Sequence, residues 1–306
     1  MLDVCLIGTG GMMPLPDRWL TAFLVRYQGR MALIDCGEGT QIPLRMLGWG
    51  FKSLDIICIT HYHGDHIAGL PGILLTLGNA GKTEPLTMIG PKGLRRVVQG
   101  LRVIAPELPY EIEYIECSDQ EIQKFQVGDF HISTCPGDHT LPCVAYTIEI
   151  NRQPRFQPDR AEQYEIPRPM WKYLQQGEEI IWNGQTIIPS MVLGPPRKGL
   201  KVSYCTDTRP TQALASFIQG ADLFVCEGMY GDDDKVSKAI EYKHMLFSEA
   251  AKLAAEGEVK ELWLTHYSPS LTDPEEYIQS AQTYFTNVRI GKDLMKDTLA
   301  FDPNEK

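Results

Sequence analysis

Three of the seven histidines in this 306-residue chain fall within six positions, in Thr60-His61-Tyr62-His63-Gly64-Asp65-His66. The block follows the apolar run Asp55–Thr60, which reads as a strand. Side chains two apart at a strand end point the same way, so His61 and His63 can share one metal ion. Gly64 lets the chain turn back, and Asp65 and His66 beyond it can serve a second ion a few ångström away. Imidazole with carboxylate suits Zn²⁺ and, less selectively, Mn²⁺ or Fe²⁺. Three further candidates follow apolar runs elsewhere: His139 in Gly137-Asp138-His139-Thr140, Asp207 in Cys205-Thr206-Asp207-Thr208, and His266 in Leu264-Thr265-His266-Tyr267. They share one grammar, in which an apolar strand and one or two small residues precede the ligand. That grammar puts all of them on one rim, where a dinuclear site can assemble.

The elements that must position these residues are also legible. Short β-branched and apolar runs, bounded by Gly, Pro, Asp or Asn, predict strands at 2–7, 21–27, 32–34, 55–60, 86–89, 111–115, 130–134, 143–150, 201–205, 222–226 and 261–264. Helices are predicted over 67–77, over 91–103 with Pro91 near its N-terminus, over 248–256 with Ser248 as N-cap and Gly257 as stop, and over 274–285 with Asp273 as N-cap and Pro274 at the first helical position. The mixture is α/β, with more strands than helices. Apolar residues make up 43% of the chain, enough for a large core. A formal charge of −10 argues against a generic nucleic-acid binder, though not against RNA held by a local patch.

One stretch differs. Residues 151–196 are rich in Pro, Gln and Arg, with weak periodicity and prolines that would interrupt a regular element. Between 152 and 201 stand eight basic residues (Arg152, Arg155, Arg160, Arg168, Lys172, Arg197, Lys198, Lys201) and five acidic ones (Asp159, Glu162, Glu165, Glu178, Glu179), a balance of +3 against −13 for the remainder. The stretch reads either as a solvated loop or as an arm that touches a polyanion, with Arg168, Lys172, Arg197 and Lys198 as substrate contacts.

Eight cysteines are scattered with no CxxC pair, which excludes a thiol zinc ribbon and a thioredoxin-like motif and fits a reducing cytoplasm. No segment approaches the ~20 apolar residues that span a bilayer, and the N-terminal run is too short for a signal peptide, so the expectation is a soluble, cytoplasmic protein without membrane association. Gly8-Thr9-Gly10-Gly11 follows a strand but lacks the third glycine of a dinucleotide loop. No nucleotide cofactor is expected, and a tight turn near the metal rim is the better reading.

The sequence resembles the metallo-β-lactamase superfamily and, within it, the ribonuclease Z branch of tRNA 3′-end processing endonucleases. The likeness covers nearly the whole chain. It rests on Gly8–Gly11, LIDCGEGTQ at 33–41, ITHYHGDHIAGLPG at 59–72, GPPRKG at 194–199, TDTRP at 206–210, Glu227, His244 and LTHYSP at 264–269. Against the branch's usual pattern, TDTR stands for GDTR, Gly228-Met229 follow the acid, Met245 follows His244, Ser270 stands for an Arg, and Arg168-Pro169 replaces Gly-Pro in the arm.

The resemblance implies a four-layered αββα sandwich: a single domain over 1–306 with an exosite arm inserted at about 151–196, usually paired into a homodimer. It implies two zinc ions, one held by His61, His63 and His139, the other by Asp65, His66 and His266, with Asp207 bridging. A hydroxide shared by the ions would attack phosphorus. Asp65 could take its proton, and His244, beside Glu227, would protonate the leaving 3′ oxygen. The substrate would be precursor tRNA, cut to release the 3′ trailer. The alternative is a hydrolase of the same fold acting on a small phosphodiester, thioester or lactone, which would have no use for the arm.

Overall fold

The computed structural model describes residues 1–302. The chain divides into two compact units, one of residues 1–150 and 200–300, the other of residues 151–199 with Phe301 and Asp302.

The first unit is built on two seven-stranded sheets. One follows the order β16-β1-β2-β3-β4-β5-β6, with β1 (Leu2–Gly8), β2 (Ala22–Tyr27), β3 (Arg30–Ile34), β4 (Leu54–Cys58), β5 (Leu86–Pro91), β6 (Ile112–Cys117) and β16 (Lys296–Leu299). The other follows β15-β14-β13-β12-β9-β8-β7, with β7 (Gln123–Val127), β8 (Phe130–Pro136), β9 (Val144–Arg152), β12 (Arg197–Cys205), β13 (Leu223–Glu227), β14 (Leu262–Thr265) and β15 (Val288–Ile290). The sheets share a plan: antiparallel ladders through β16-β1-β2-β3 and β9-β8-β7, parallel ladders through β3-β4-β5-β6 and β12-β13-β14-β15.

The parallel strands are apolar on both faces, as strands covered on both sides must be. Ile57 and Ile59 join one helical cluster, with α1 (Gln41–Leu47), α3 (Leu70–Asn79) and α4 (Leu94–Leu101); period-2 alternation turns Ile56 and Cys58 toward the other sheet. Phe224, Cys226, Leu262 and Leu264 likewise meet α7 (Gln212–Ile218), α9 (Phe247–Glu256) and α10 (Ile278–Gln282). Between the sheets, the Phe23 and Tyr204 rings stack at 5.7 Å. The buried Tyr146 hydroxyl on β9 donates to the Ile59 carbonyl at 2.8 Å across the same gap. The layers are therefore helix, sheet, sheet, helix, the expected four-layered αββα sandwich.

All eleven predicted strands are present, but several helices differ. The segment predicted over 67–77 is split into α2 (Gly64–Ile67) and α3, because the chain bends through Ala68 and Gly69. Pro91 closes β5 instead of opening a helix, and α4 starts at Leu94 after the left-handed Gly93. Ser248 lies inside α9, whose N-cap is Leu246; the Glu249 carboxylate accepts from the Leu246 amide. Asp273 does cap its segment, but the first turn is 3₁₀ before α10.

The second unit corrects the expectation of an irregular loop. It holds α5 (Pro158–Gln163), α6 (Arg168–Gln175) and a hairpin of β10 (Ile180–Trp182) and β11 (Gln185–Ile187). The prolines start these helices rather than break them: Pro158 and Pro169 both fall in first turns, where a missing N–H costs nothing. Ala161, Ile166, Leu174, Ile187 and Val192 form its small core, flanked by Phe156, Trp171 and Trp182. The cations sit outside this core. Arg168, Lys172 and Lys198 are exposed; half-buried Arg197 donates to the Gln153 carbonyl through Nε at 2.8 Å.

Candidate metal centre

The parallel strands β3, β4, β12, β13 and β14 deliver their C-terminal ends to one edge, the end of a parallel sheet where ligands bind in open α/β folds. Just past β4 stand His61, His63, Asp65 and His66; past β12, Asp207; at the end of β13, Glu227; past β14, His266. His139 comes from the loop between β8 and β9. The chain must turn sharply at these ends. Asp35, Asp207 and His266 all take left-handed backbone, with φ of 62°, 51° and 58°. Such conformations cost about 1–3 kcal/mol each in a non-glycine residue and persist only where the surroundings fix them.

A belt of loop hydrogen bonds does the fixing. The Arg209 amide donates to the Asp138 carbonyl at 3.0 Å, the Asp138 amide to Thr208 Oγ1 at 2.7 Å, and the Thr208 amide to Glu227 Oε1 at 2.7 Å. The belt continues from the Gly228 amide to the Thr265 carbonyl, from the Tyr267 amide to Thr9, and from the Gly11 amide to Tyr267. It ends with the Met12 amide donating to Asp65 Oδ2 at 2.7 Å. Asp293 clamps this last loop, accepting from Thr9 Oγ1 at 2.7 Å and from the Trp19 amide at 2.6 Å. Gly11 lies so close to the His266 ring that a Cβ there would sit 2.8 Å from Cε1, so the glycine-rich opening is shaped by the site it covers.

The donor atoms converge in two groups. His61 Nε2 and His139 Nε2 lie 2.9 and 3.2 Å from His63 Nδ1, and 3.7 and 3.8 Å from Asp207 Oδ2. His66 Nε2 and His266 Nε2 lie 3.2 Å apart, each 3.2 Å from Asp207 Oδ1 and 3.6 and 3.5 Å from Asp65 Oδ2. A tetrahedron with ~2.0–2.1 Å bonds has edges of about 3.3 Å, and these separations bracket that length. Asp207 offers one carboxylate oxygen to each group. Buried Asp207 Oδ1 makes no well-formed hydrogen bond among the described residues and faces two imidazole nitrogens at 3.2 Å, as an oxygen that shares a cation with them would. The donor set fits divalent metal.

Outer contacts set the ring orientations. His66 Nδ1 faces Asp35 Oδ2 at 2.8 Å, His61 Nδ1 faces Thr60 Oγ1 at 3.1 Å, and His139 Nδ1 faces the Lys243 carbonyl at 3.2 Å. Asp35 also accepts from the Thr60 amide at 2.8 Å. Partners of this kind orient ligands and fix their tautomers. Burial pushes the His61, His63 and His139 pKa values down, keeping these rings neutral and able to ligate. Burial works against charge on Asp207 and Asp65, yet the neighbouring imidazoles hold both below the usual carboxylate range, so both stay ionised. Burial also opposes charge on His66, but the carboxylates of Asp207 and Asp35 outweigh it and push its pKa up; the spot favours positive charge.

Glu227 and His244 stand beside the cluster. His244 Nδ1 lies 2.8 Å from Glu227 Oε2 and 3.8 Å from Asp207 Oδ2. Burial disfavours its cation, but Glu227 and then Asp207 more than compensate, and its pKa is pushed up to about 9. A cavity of about 830 Å³ opens over the cluster, lined by His63, Asp65, Asp207, His244 and His266 among others.

All seven sequence-predicted ligands thus meet, together with Glu227 and His244. Arg168, Lys172, Arg197 and Lys198 belong to the second unit. Sequence reasoning passed over Asp35, Thr60, Arg209 and Glu249. Arg209 donates to the His244 carbonyl and pairs with Glu249, whose Oε2 lies 2.9 Å from Nη1, which pins the segment carrying His244. Asp35 could have been found, since it follows a strand in the same grammar as the ligands.

The family model described as Anti-Pycsar protein Apyc1 matches residues 2–183, more than half of the chain, and places it in that family. That span stops short of Asp207, Glu227, His244 and His266. A relative described as ribonuclease Z, from Lachnoclostridium phytofermentans, is 56% identical over 305 residues, covering 100% of each chain. The chain belongs to the ribonuclease Z family. A second ribonuclease Z, from Clostridium kluyveri, is 54% identical and covers 98% of this chain and 99% of its own. Among solved structures, the short form of human tRNase Z (ELAC1) has a TM-score of 0.69 at 23% identity, covering 98% of this chain and 100% of that one. A metallo-β-lactamase fold protein, YhfI from Bacillus subtilis, also has a TM-score of 0.69, at 22% identity, covering 96% of this chain and 98% of that one. At 22–23% identity these structures speak for the fold, which is the sandwich described above.

Proposed function

We propose that this chain is a metal-dependent endoribonuclease that removes the 3′ trailer from precursor tRNA. Asp207 carries the reading, with one buried oxygen aimed at each of two donor groups. His61, His63 and His139 would hold one zinc ion, and Asp65, His66 and His266 the other; Mn²⁺ or Fe²⁺ suits the same donors. When bound, the pair supplies a water of lowered pKa and neutralises charge that builds on phosphorus.

The side chains do the rest. Asp65, ionised and fixed by the Met12 amide, accepts a proton. His244 donates one to the leaving 3′ oxygen, and Glu227 keeps it protonated and oriented, with Nε2 left for substrate. The products are a 3′-hydroxyl on the tRNA body and a 5′-phosphate on the trailer. In the second unit, Arg168, Lys172, Arg197 and Lys198 supply cations for the tRNA backbone. The same reading holds that 1–306 is one functional domain carrying this arm, that two copies pair, and that the enzyme works in the cytoplasm. The eight buried free cysteines support a reducing compartment, and no helix among the described residues is long and apolar enough to cross a membrane.

Zinc-loaded protein incubated with end-labelled precursor tRNA, a bis-aryl phosphate and a lactone tests this. The expected result is a single cut at the trailer and slower hydrolysis of the bis-aryl phosphate. Hydrolysis of the lactone with the precursor tRNA left intact would overturn it.

A further inference from the structure

The catalytic cavity is larger than a scissile phosphate requires. At about 830 Å³ it lies in the upper range of sites that enclose whole small molecules. Its lining is acidic at Glu38, Asp65 and Asp207, and the one Lys or Arg among the described lining residues is Lys238. Tyr242 lines the same cavity. Both residues lie on α8 (Val236–Tyr242). Four-residue spacing puts them on one helical face, about 6 Å apart along the axis. An exposed Lys or Tyr on a helix is ordinary by itself; a pair that shares a wall with the donor cluster is not.

The cavity also has an apolar part. Met12 and Met13 line the cavity and are 66% and 54% exposed, and Tyr242 is 53% exposed. Met12 is held in place, because its backbone is left-handed at φ 68° while its amide is committed to Asp65. Methionines are flexible and polarisable, suited to a planar group of variable identity. An aromatic ring accepts any base face.

We propose that α8 forms a nucleotide subsite, in which Tyr242 stacks on a base, Lys238 binds the phosphate on the 5′ side of that nucleotide, and Met12 and Met13 close over the base. This rests on the phosphodiesterase reading above and names the position. His244 follows α8 by two residues and donates to the leaving 3′ oxygen, so the nucleotide on α8 is the one that owns this oxygen, the last residue of the tRNA body. The helix is tied to the centre. Lys243, its left-handed C-cap, pairs with Asp138 at 2.6 Å beside His139, and Arg209 holds the His244 carbonyl. Because stacking is tolerant of base identity, the subsite positions this nucleotide without reading its sequence.

The test uses the full-length metal-loaded protein and its Tyr242→Ala, Tyr242→Phe, Lys238→Ala and Lys238→Arg variants, with folding checked by circular dichroism. Adenosine 5′-monophosphate and inorganic phosphate are compared as competitive inhibitors of bis(4-nitrophenyl) phosphate hydrolysis. The nucleotide should bind at least tenfold tighter than phosphate. Tyr242→Ala should remove most of that gap, and Tyr242→Phe should keep it. With precursor tRNA, Lys238→Ala should raise KM about tenfold and lower the salt slope of log(kcat/KM) by about 0.7, with Lys238→Arg restoring both. No gap in the parent enzyme, a gap unchanged in Tyr242→Ala, or an unchanged salt slope in Lys238→Ala would overturn the subsite. If the parent hydrolyses the aryl ester but not precursor tRNA, the tRNA reading fails, and the inhibitor comparison still decides the subsite.

Discussion

The donor cluster of the first unit and the cationic surface of the second are built on opposite terms. In the cluster, His61, His66, Asp207 and His266 are buried, three of the turning residues are left-handed, and the outer ring atoms of His61, His66 and His139 each face a fixed partner. In the second unit, Arg168 meets Glu162 only at 4.0 Å and lies over Trp171, and Lys172 lies over Tyr173. These are exposed pairs of little energetic weight. A reacting centre must be held within about half an ångström of its working geometry, which demands a dense supporting shell. A phosphate backbone is a repeating charge that long side chains can follow, so a grip on it tolerates freedom that chemistry does not.

The sharpest way to break this contrast is at Asp207 and His63. His63→Ala or Asp207→Ala should strip metal and lower turnover of a bis-aryl phosphate by about 10³-fold or more, read from metal content and initial rates; retained turnover would remove the centre from the reaction. Next is the support behind the ligands. Asp35→Asn leaves every donor in place but loses the charge facing His66 Nδ1. Metal affinity should weaken about 10–100-fold in a competition titration with a chelator.

Glu227→Gln probes the proton donor. In the mechanism proposed above His244 acts in its protonated form, so activity should fall as pH rises through its pKa. Glu227 raises that pKa, so its replacement should move the alkaline limb of the kcat profile to lower pH and cut the plateau by about 10²-fold. An alkaline limb that stays in place would show that another group donates. The smallest effects belong to the second unit. Replacing Arg168, Lys172 and Lys198 together by Ala should raise KM for precursor tRNA several-fold and lessen its salt dependence, while bis-aryl phosphate turnover stays as in the parent. Point replacements are the cleaner probe, since removing residues 152–173 would take Ala161 and Ile166 from the small core.

What the sequence disclosed follows from how local each signal is. The core strands announce themselves by continuous apolar runs, and the His61–His66 block by its spacing alone. His139, Asp207 and His266 needed one more step, the shared position after a strand, and the sandwich brings them together. Two of the missed strands had no such runs. Gln123–Val127 and Lys296–Leu299 are polar, half-exposed or exposed strands at or near sheet edges, stabilised by a neighbour rather than by their own composition. In residues 151–196 prolines that start helices look like breakers in the sequence, because a proline's meaning depends on which turn it occupies. Arg209 and Glu249, forty residues apart, act on His244 through contacts that no periodicity encodes.

The donors lie between positions 61 and 266, and the clamp on their covering loop is Asp293. The strand Lys296–Leu299 then completes the sheet edge by pairing with Leu2–Cys5. Two strands far apart in the chain must therefore meet before the loop over the centre is fixed. Cutting or freeing Lys296–Leu299 would loosen Asp293 and, through the loop it clamps, the Met12 amide that holds Asp65, so damage at a sheet edge would travel to the donors along the backbone.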